Sequence, residues 1–214
     1  MQPEKIDSFN CYWCNKFLIR MTNTLLELEL SNEDDFIKRF EHLYQDITSE
    51  YNFGNNTIEK INVNKEASQK YETCCQNNRD FVYLNYVDIE KAIYELLYIN
   101  HISVSKKYMS IEFIIGKSSN EFIIENNFGI HQDIYSTIDD ESYTVIIYLH
   151  TNCQGGELIF YEKTCCCFEK TILVNTKSSL FSNTKVIIFD GEIFHKPEPF
   201  YNGQRCAIVC QVGK

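Results

Sequence analysis

Residues 128–136 read FGIHQDIYS, with a single residue between His131 and Asp133. Side chains alternate faces along a strand, so on a strand both would point into one pocket. An imidazole nitrogen and a carboxylate oxygen at that spacing are two ligands of a candidate metal site. A His-x-Asp triplet decides nothing alone in a chain with 30 acidic residues, so further partners must come from elsewhere. The other histidines are His42, His101, His150 and His195. His42 and His101 fall in stretches that read as helical, where polar surface or helix-end positions explain them. His150 ends the run VIIYLH and is placed to reach the mouth of a site. His195 lies in FDGEIFHKPEPF, between two strand-like runs near the chain end. Two imidazoles and one carboxylate leave coordination positions open. Arg205 then opens the run RCAIVCQV, and its planar guanidinium suits a bidentate carboxylate. Taken singly, His195 reads as a satisfied structural residue, Tyr148 as core packing and Arg205 as a surface ion pair. Their order along the chain is what gives them weight.

A scaffold must bring these groups together. From about residue 108 the sequence breaks into SIEFIIG, NEFIIEN, SYTVIIYLH, GELIFYEK, KTILVN, TKVIIFD and RCAIVCQV. These are β-branched and aromatic runs of strand length. Gly155-Gly156 and Asn202-Gly203 are turn signals between them. So many short strands predict a double-sheet jelly roll. Residues 1–107 read mostly helical. SNEDDFIKRFEHLYQDI has Ser31 as N-cap and places Phe36, Ile37, Phe40, Leu43, Tyr44 and Ile47 at helical spacing. VDIEKAIYELLYINHI has Asp88 as N-cap and a stripe of Ile89, Ala92, Ile93, Leu96 and Leu97. The segment between the two is polar and hard to place. The expected class is α+β, with N-terminal helices buttressing one sheet of a double-stranded β-helix core at 108–214, in one compact domain.

The composition is 44% hydrophobic and 14% aromatic over 214 residues, enough for a real core. The net charge of -10 and the absence of a clustered basic run argue against nucleic acid as a partner. No apolar stretch is long enough to span a bilayer, and MQPEKIDSFN has no apolar leader core. A cytoplasmic or other reducing location is expected, with the ten cysteines as thiols. Cys11-x-x-Cys14 would be half of a zinc site, but Cys74-Cys75 cannot copy its spacing. Cys165 to Cys167 form a run between two strands.

Two histidines and a carboxylate with open positions form the facial triad of non-haem Fe(II) oxygenases. The run HQD, SYTVIIYLHTNCQGGELIFYEK, KVIIFDGEIFHKPEPFYNGQR resembles the 2-oxoglutarate- and Fe(II)-dependent dioxygenases of the prolyl 4-hydroxylase type. His-x-Asp, Thr-x-x-x-Tyr-Leu, Gly-Gly-Glu-Leu-x-Phe, the second His, Pro and Gly-x-Arg follow in family order over roughly 108–212. The resemblance implies His131, Asp133 and His195 as iron ligands. It implies Arg205 as the partner of the 2-oxoglutarate C5 carboxylate, with Tyr148 hydrogen-bonding that carboxylate. Thr144 shares a strand face with Tyr148 and is expected to line the same pocket. The implied activity is hydroxylation of a protein or peptide side chain, proline above all, with release of succinate and CO2. Fe(II), 2-oxoglutarate and O2 are the implied cofactors, with ascorbate supportive. Loop 134–142 and the first hundred residues are expected to set substrate choice. The family strand ahead of His-x-Asp usually carries Tyr-x-x-Gly, which NEFIIENNF lacks, while Phe128 supplies the family's aromatic three residues before the histidine. The rival reading is a catalytically idle family member acting as a binding or inhibitor protein for a hydroxylase or its substrate. The intact ligand set and Arg205 argue against it.

Overall fold

The computed structural model describes residues 25–30, 35–50, 54–62, 87–104, 109–119, 123, 129–133, 142–164, 167–179 and 183–214. Cys11, Cys14, Ser31, Cys74, Cys75, Phe128, Cys165, Cys166, most of NEFIIEN and loop residues 134–141 lie outside them. The order of elements is β1 (Leu25–Leu30), α1 (Asp35–Glu50), β2 (Thr57–Asn62), α2 (Val87–Ile99), β3 (Met109–Ser118), β4 (Ser142–Thr151) and β5 (Gln154–Gly155). There follow β6 (Leu158–Lys163), β7 (Phe168–Val174), β8 (Thr184–Asp190), β9 (Phe194–Pro197), β10 (Phe200–Tyr201) and β11 (Gly203–Gly213).

Six strands form the larger sheet in the order β1-β8-β4-β11-β3-β2, with every pair antiparallel. The smaller sheet runs β7-β6-β9, and a bridge between His131 and His195 adds a further rung beside β9. Strand alternation splits the larger sheet's side chains into two cores. On one face Val145, Ile147, Val186, Ile188, Ile208, Cys210, Ile111 and Phe113 pack against Phe40, Leu43 and Ile47 of α1 and Ile89, Ile93 and Leu97 of α2. On the other, Ile146, Tyr148, Ile187, Phe189 and Ala207 meet Leu158, Phe160 and Val174 of the smaller sheet. With both faces covered, the central strands carry near-continuous apolar runs, which is why VIIY and VIIF do not alternate. The fold is the expected jelly roll with helices on one sheet.

A bulge adjusts this alternation where it matters. Arg205 pairs with Thr151 and Cys206 with His150, but Ala207 pairs with Tyr148, so Leu149 has no opposite number. Leu149 joins the helix-side core, and Tyr148 and Thr151 both end on the face that carries Arg205.

Among the described residues of the N-terminal half, two strands accompany the two expected helices. β1 and β2 fall within it and form the two edges of the larger sheet. LLELEL alternates with a period of two: Leu26, Leu28 and Leu30 pack toward the helix-side core, while Glu27 and Glu29 are exposed. β2 lies in the polar stretch, pairs with β3, and brings Ile58 against Cys153 and Phe200. α2 starts at Val87, so Asp88 lies inside its first turn, and α1 starts at Asp35. The apolar stripe expected for α2 is buried throughout.

Candidate metal centre

His195 sits on β9, opposite Phe160 of β6. Its backbone exchanges two hydrogen bonds with that of His131, at 2.9 and 3.0 Å. This isolated rung brings the rings together, with centroids 4.3 Å apart. Asp133 follows two residues after His131. Its backbone N–H donates to Gly191 O at 2.9 Å, and the Ser142 hydroxyl donates to its carbonyl. The turn between β8 and β9 and the start of β4 therefore fix where the carboxylate points.

Both rings are oriented by the same local device. His131 Nδ1 lies 2.9 Å from Gly129 O and His195 Nδ1 lies 3.0 Å from Ile193 O, each a carbonyl two residues earlier. A carbonyl only accepts, so Nδ1 is the donor and the neutral ring's lone pair is on Nε2. Those Nε2 atoms face the carboxylate: His131 is 3.7 Å from Oδ1 and His195 is 3.4 Å from Oδ2 of Asp133. Metal–nitrogen and metal–oxygen bonds of ~2.1 Å let donors up to ~4.2 Å apart share one ion. Both His–Asp separations fall inside that span, and the three ligand atoms all lie within 4.8 Å of one another, so the two imidazoles need at most a small inward shift to share the ion. Two neutral imidazoles and a carboxylate thus form a donor set suited to one divalent ion with positions left open.

The site is graded from core to solvent. The side chains of His195, Asp133 and His131 are 4%, 13% and 30% exposed, so approach is from the His131 side. Phe189 packs edge-on against His195 at 4.8 Å, and Phe160 lies beyond at 6.2 Å. Burial lowers the His195 pKa, outweighing the opposing pull of Asp133 and of the Ile193 carbonyl. The ring is held neutral, the form that ligates metal. Thr144, fully buried on β4, donates from Oγ1 to Asp133 Oδ2 at 2.8 Å. Its hydroxyl is engaged with the carboxylate.

Arg205 lies on the same face of the larger sheet, toward the far end of β4. It is 7% exposed. Nη1 donates to Gly156 O and Glu198 O, both at 3.3 Å, and the guanidinium lies 4.7 Å above the Phe200 ring. Among the described residues it has no carboxylate partner, and Nε and Nη2 have no protein acceptor. Burial lowers its pKa against the opposing effect of Tyr148 and Cys153. Burial likewise raises the Tyr148 pKa to about 12, with Arg205 pulling it down. Two glycines stand beside this cation. A Cβ on Gly116, which pairs with Arg205, would come within 2.5 Å of the Phe200 ring over which the guanidinium lies. Gly156 has φ +82, a conformation that favours glycine, while a Cβ there would stand 3.5 Å from Arg205 Nη1, an ordinary contact.

His131, Asp133 and His195 converge as their spacing suggests, Thr144 stands behind the carboxylate, and Tyr148 and Arg205 are neighbours. His150 is half-buried and stands outside the cluster. The carbonyls of Gly129, Ile193, Gly156 and Glu198 left no mark in the sequence, because any residue type supplies a carbonyl.

The jelly roll carries a His–Asp–His cluster at one rim and, on the same face of the larger sheet, a buried arginine with no carboxylate partner among the described residues. No family model matches the chain, and no curated protein matches its sequence. Solved structures do. An oxidoreductase of the 2OG-Fe(II) oxygenase family from Burkholderia pseudomallei aligns over 94% of this chain and 89% of its own, with a TM-score of 0.51 and 11% identity. IDO from Bacillus thuringiensis aligns over 99% and 98%, with a TM-score of 0.50 and 11% identity. At such identities the likeness is one of fold.

Proposed function

We propose that this protein is an Fe(II)- and 2-oxoglutarate-dependent dioxygenase that hydroxylates a protein or peptide side chain, with proline as the residue its motif order points to. One observation carries the reading: two Nε2 lone pairs and a carboxylate converge, on the same sheet face as a buried arginine that has no carboxylate partner among the described residues. With ferrous iron bound, 2-oxoglutarate and dioxygen supply the oxidising chemistry, the cosubstrate leaves as succinate and CO2, and one oxygen atom enters the substrate. His131 and His195 present Nε2, with each ring locked by its Nδ1–H. Asp133 supplies the anionic ligand, and Thr144 fixes its rotation. Arg205 forks the distal carboxylate of the cosubstrate, and Tyr148 donates beside it. Phe160 and Phe189 keep water from the buried side of the centre. Substrate enters from the exposed His131 side. An acidic chain of net charge -10 favours a basic peptide context. Residues 1–107 and 108–214 act as one unit, since β1 and β2 complete the larger sheet. We place the enzyme in a reducing, cytoplasmic setting, with ascorbate supporting turnover.

The test is purified protein with Fe(II), 2-oxoglutarate, ascorbate and a proline-containing peptide library. Succinate should accumulate, and one peptide class should gain the mass of one oxygen. Stoichiometric iron binding with no succinate from any peptide would instead support the idle, binding-protein reading.

A further inference from the structure

The turn between β8 and β9, residues 190–193, uses each of its backbone carbonyls as an acceptor. Asp190 O accepts from Ile193 N–H at 2.9 Å and closes the turn. Gly191 O accepts from Asp133 N–H at 2.9 Å. Glu192 O accepts from the Gln132 carboxamide, and Ile193 O from His195 Nδ1–H at 3.0 Å. The turn therefore bonds directly to Asp133, to His195 and to the residue between His131 and Asp133. His131 is tied in through its backbone rung with His195. A shift of this one turn would carry the whole cluster with it.

The turn is itself held from the larger sheet. Asp190 uses both carboxylate oxygens: Oδ1 accepts from Glu192 N–H at 3.0 Å, and Oδ2 takes the ammonium of Lys214, just beyond β11. The two side chains are only 14% and 20% exposed. Lys214 Nζ also lies 4.8 Å above the Tyr143 ring, and Tyr143 pairs with Asp190 on one side and Val212 on the other. The ion pair thus spans β8, β4 and β11. Gly191 leaves the turn no slack. Its N–H donates to Ser142 O at 2.8 Å, and a Cβ there would stand 2.6 Å from Ser142 Oγ and 2.8 Å from Asp133 O. Only a residue with no side chain lets the turn, the start of β4 and the His-x-Asp segment meet this closely.

We propose that Asp190, Gly191 and Lys214 are positioning residues of the metal centre. They hold the β8–β9 turn, and through its carbonyls the three ligands, in binding geometry before an ion arrives. The inference rests on the reading of His131, Asp133 and His195 as ligands and adds what preorganises them. None of the three is a ligand itself.

The experiment is calorimetric titration of Mn(II) into the metal-free full chain, with the visible absorption of the Co(II)-loaded protein as a second readout. The variants are Asp190→Ala, Asp190→Asn, Lys214→Met, Lys214→Arg and Gly191→Ala, with Lys185→Met and His195→Ala as references. Gly191→Ala pushes on Asp133 O directly and should weaken Mn(II) about tenfold to a hundredfold and alter the Co(II) spectrum. Asp190→Ala removes both anchors and should weaken Mn(II) about tenfold. Asp190→Asn keeps the acceptor for Glu192 N–H, so it and Lys214→Met should each weaken Mn(II) about threefold, and their combination no further, since both break one contact. Lys214→Arg should keep the parent affinity. Lys185→Met breaks an ion pair of the same sheet that has no tie to the turn, and should leave Mn(II) affinity unchanged. Should Gly191→Ala not fold, the Asp190 and Lys214 variants decide alone. An unchanged Mn(II) affinity and Co(II) spectrum in Asp190→Ala and Lys214→Met, with only the melting midpoint lowered, would make the pair structural and overturn the proposal. So would Lys214→Arg no better than Lys214→Met, or Lys185→Met weakening Mn(II) as much as they do. In each case loss of Mn(II) binding in His195→Ala would leave the ligand reading standing. If His195→Ala binds Mn(II) as the parent does, the ligand reading itself fails.

Discussion

Two cations of the larger sheet, Lys185 and Arg205, flank Tyr148 on the same face and are each 7% exposed. Their surroundings differ completely. Lys185 pairs with Glu27 and, at 3.4 Å, with Glu29 of the edge strand β1. Arg205 has two backbone carbonyls and a phenyl ring. The pKa directions follow. Burial pulls the Lys185 ammonium down, but the two glutamates outweigh it and the net shift is upward. For Arg205 burial wins and the shift is downward. A buried charge without a counter-charge is a standing cost to the fold. The fold neutralises one of these cations itself and gives the other no counter-charge among the described residues. On the function proposed above, that difference would separate a structural ion pair from a binding residue more sharply than burial or residue type does.

The metal centre offers the most drastic way to test the ligand half of this comparison. His195→Ala removes the most buried ligand, and succinate formation should fall to background. If Arg205 serves a metal-chelating dicarboxylate, the same variant should also weaken 2-oxoglutarate binding by about a hundredfold or more, because chelation contributes much of the affinity. Retained succinate production would remove His195 from the ligand set. Next in size is Arg205→Met. Losing a charged partner of a buried carboxylate costs about 2–5 kcal/mol of binding, so the cosubstrate KM should rise at least thirtyfold, with iron affinity nearly unchanged. The unfolding midpoint should hold or rise, since an uncompensated charge is removed. A steep fall in stability with KM unchanged would make Arg205 a structural residue like Lys185.

Thr144→Val is a milder test at the opposite end of β4. The hydroxyl that steadies Asp133 Oδ2 is lost while shape is kept. Outer hydrogen bonds of this kind typically matter about 10–100-fold in metal affinity, read as the free-Fe(II) concentration giving half-maximal activity and as Mn(II) binding. The cosubstrate KM at saturating iron should stay within about twofold. A raised KM with normal metal affinity would instead place Thr144 in the cosubstrate pocket, the position its spacing from Tyr148 suggests.

These positions also show what a sequence makes legible. His131, Asp133, His195 and Arg205 carry chemistry in their side chains and arrive in a fixed order, so they stand out along the chain itself. The jelly roll was readable because β-branched runs and glycine turns mark strands locally. β1 and β2 were harder: edge strands need only one apolar face, and TIEKIN has too few apolar residues to reveal its period. Thr151 and Ser178 were invisible for another reason. Their hydroxyls lack a hydrogen-bond partner among the described residues, and a missing hydrogen bond is a property of the assembled sheet. The bulge at Leu149, which turns Thr151 toward Arg205, has no sequence signal at all.

The smallest effect belongs to the structural half. Lys185→Met keeps the apolar stem and removes the ammonium. Its glutamate partners are well exposed, with side chains 43% and 63% accessible, so water and salt screen the pair and its worth is about 0.5–1 kcal/mol. The urea midpoint should fall by about 0.5 M or less, and the cosubstrate KM should not move. The pH dependence has a definite sign. The folded-state pKa of Lys185 stands above the ordinary value of 10.5, so its contribution is complete below pH 10.5 and is lost as pH rises through the folded value. The stability gap between parent and Lys185→Met should therefore be flat through neutral pH and close only in strong alkali. Added salt should narrow it at pH 7. Should Lys185→Met instead raise the cosubstrate KM as Arg205→Met does, both cations would serve the ligand, and the two glutamates would be tuning a second binding residue rather than closing a structural pair.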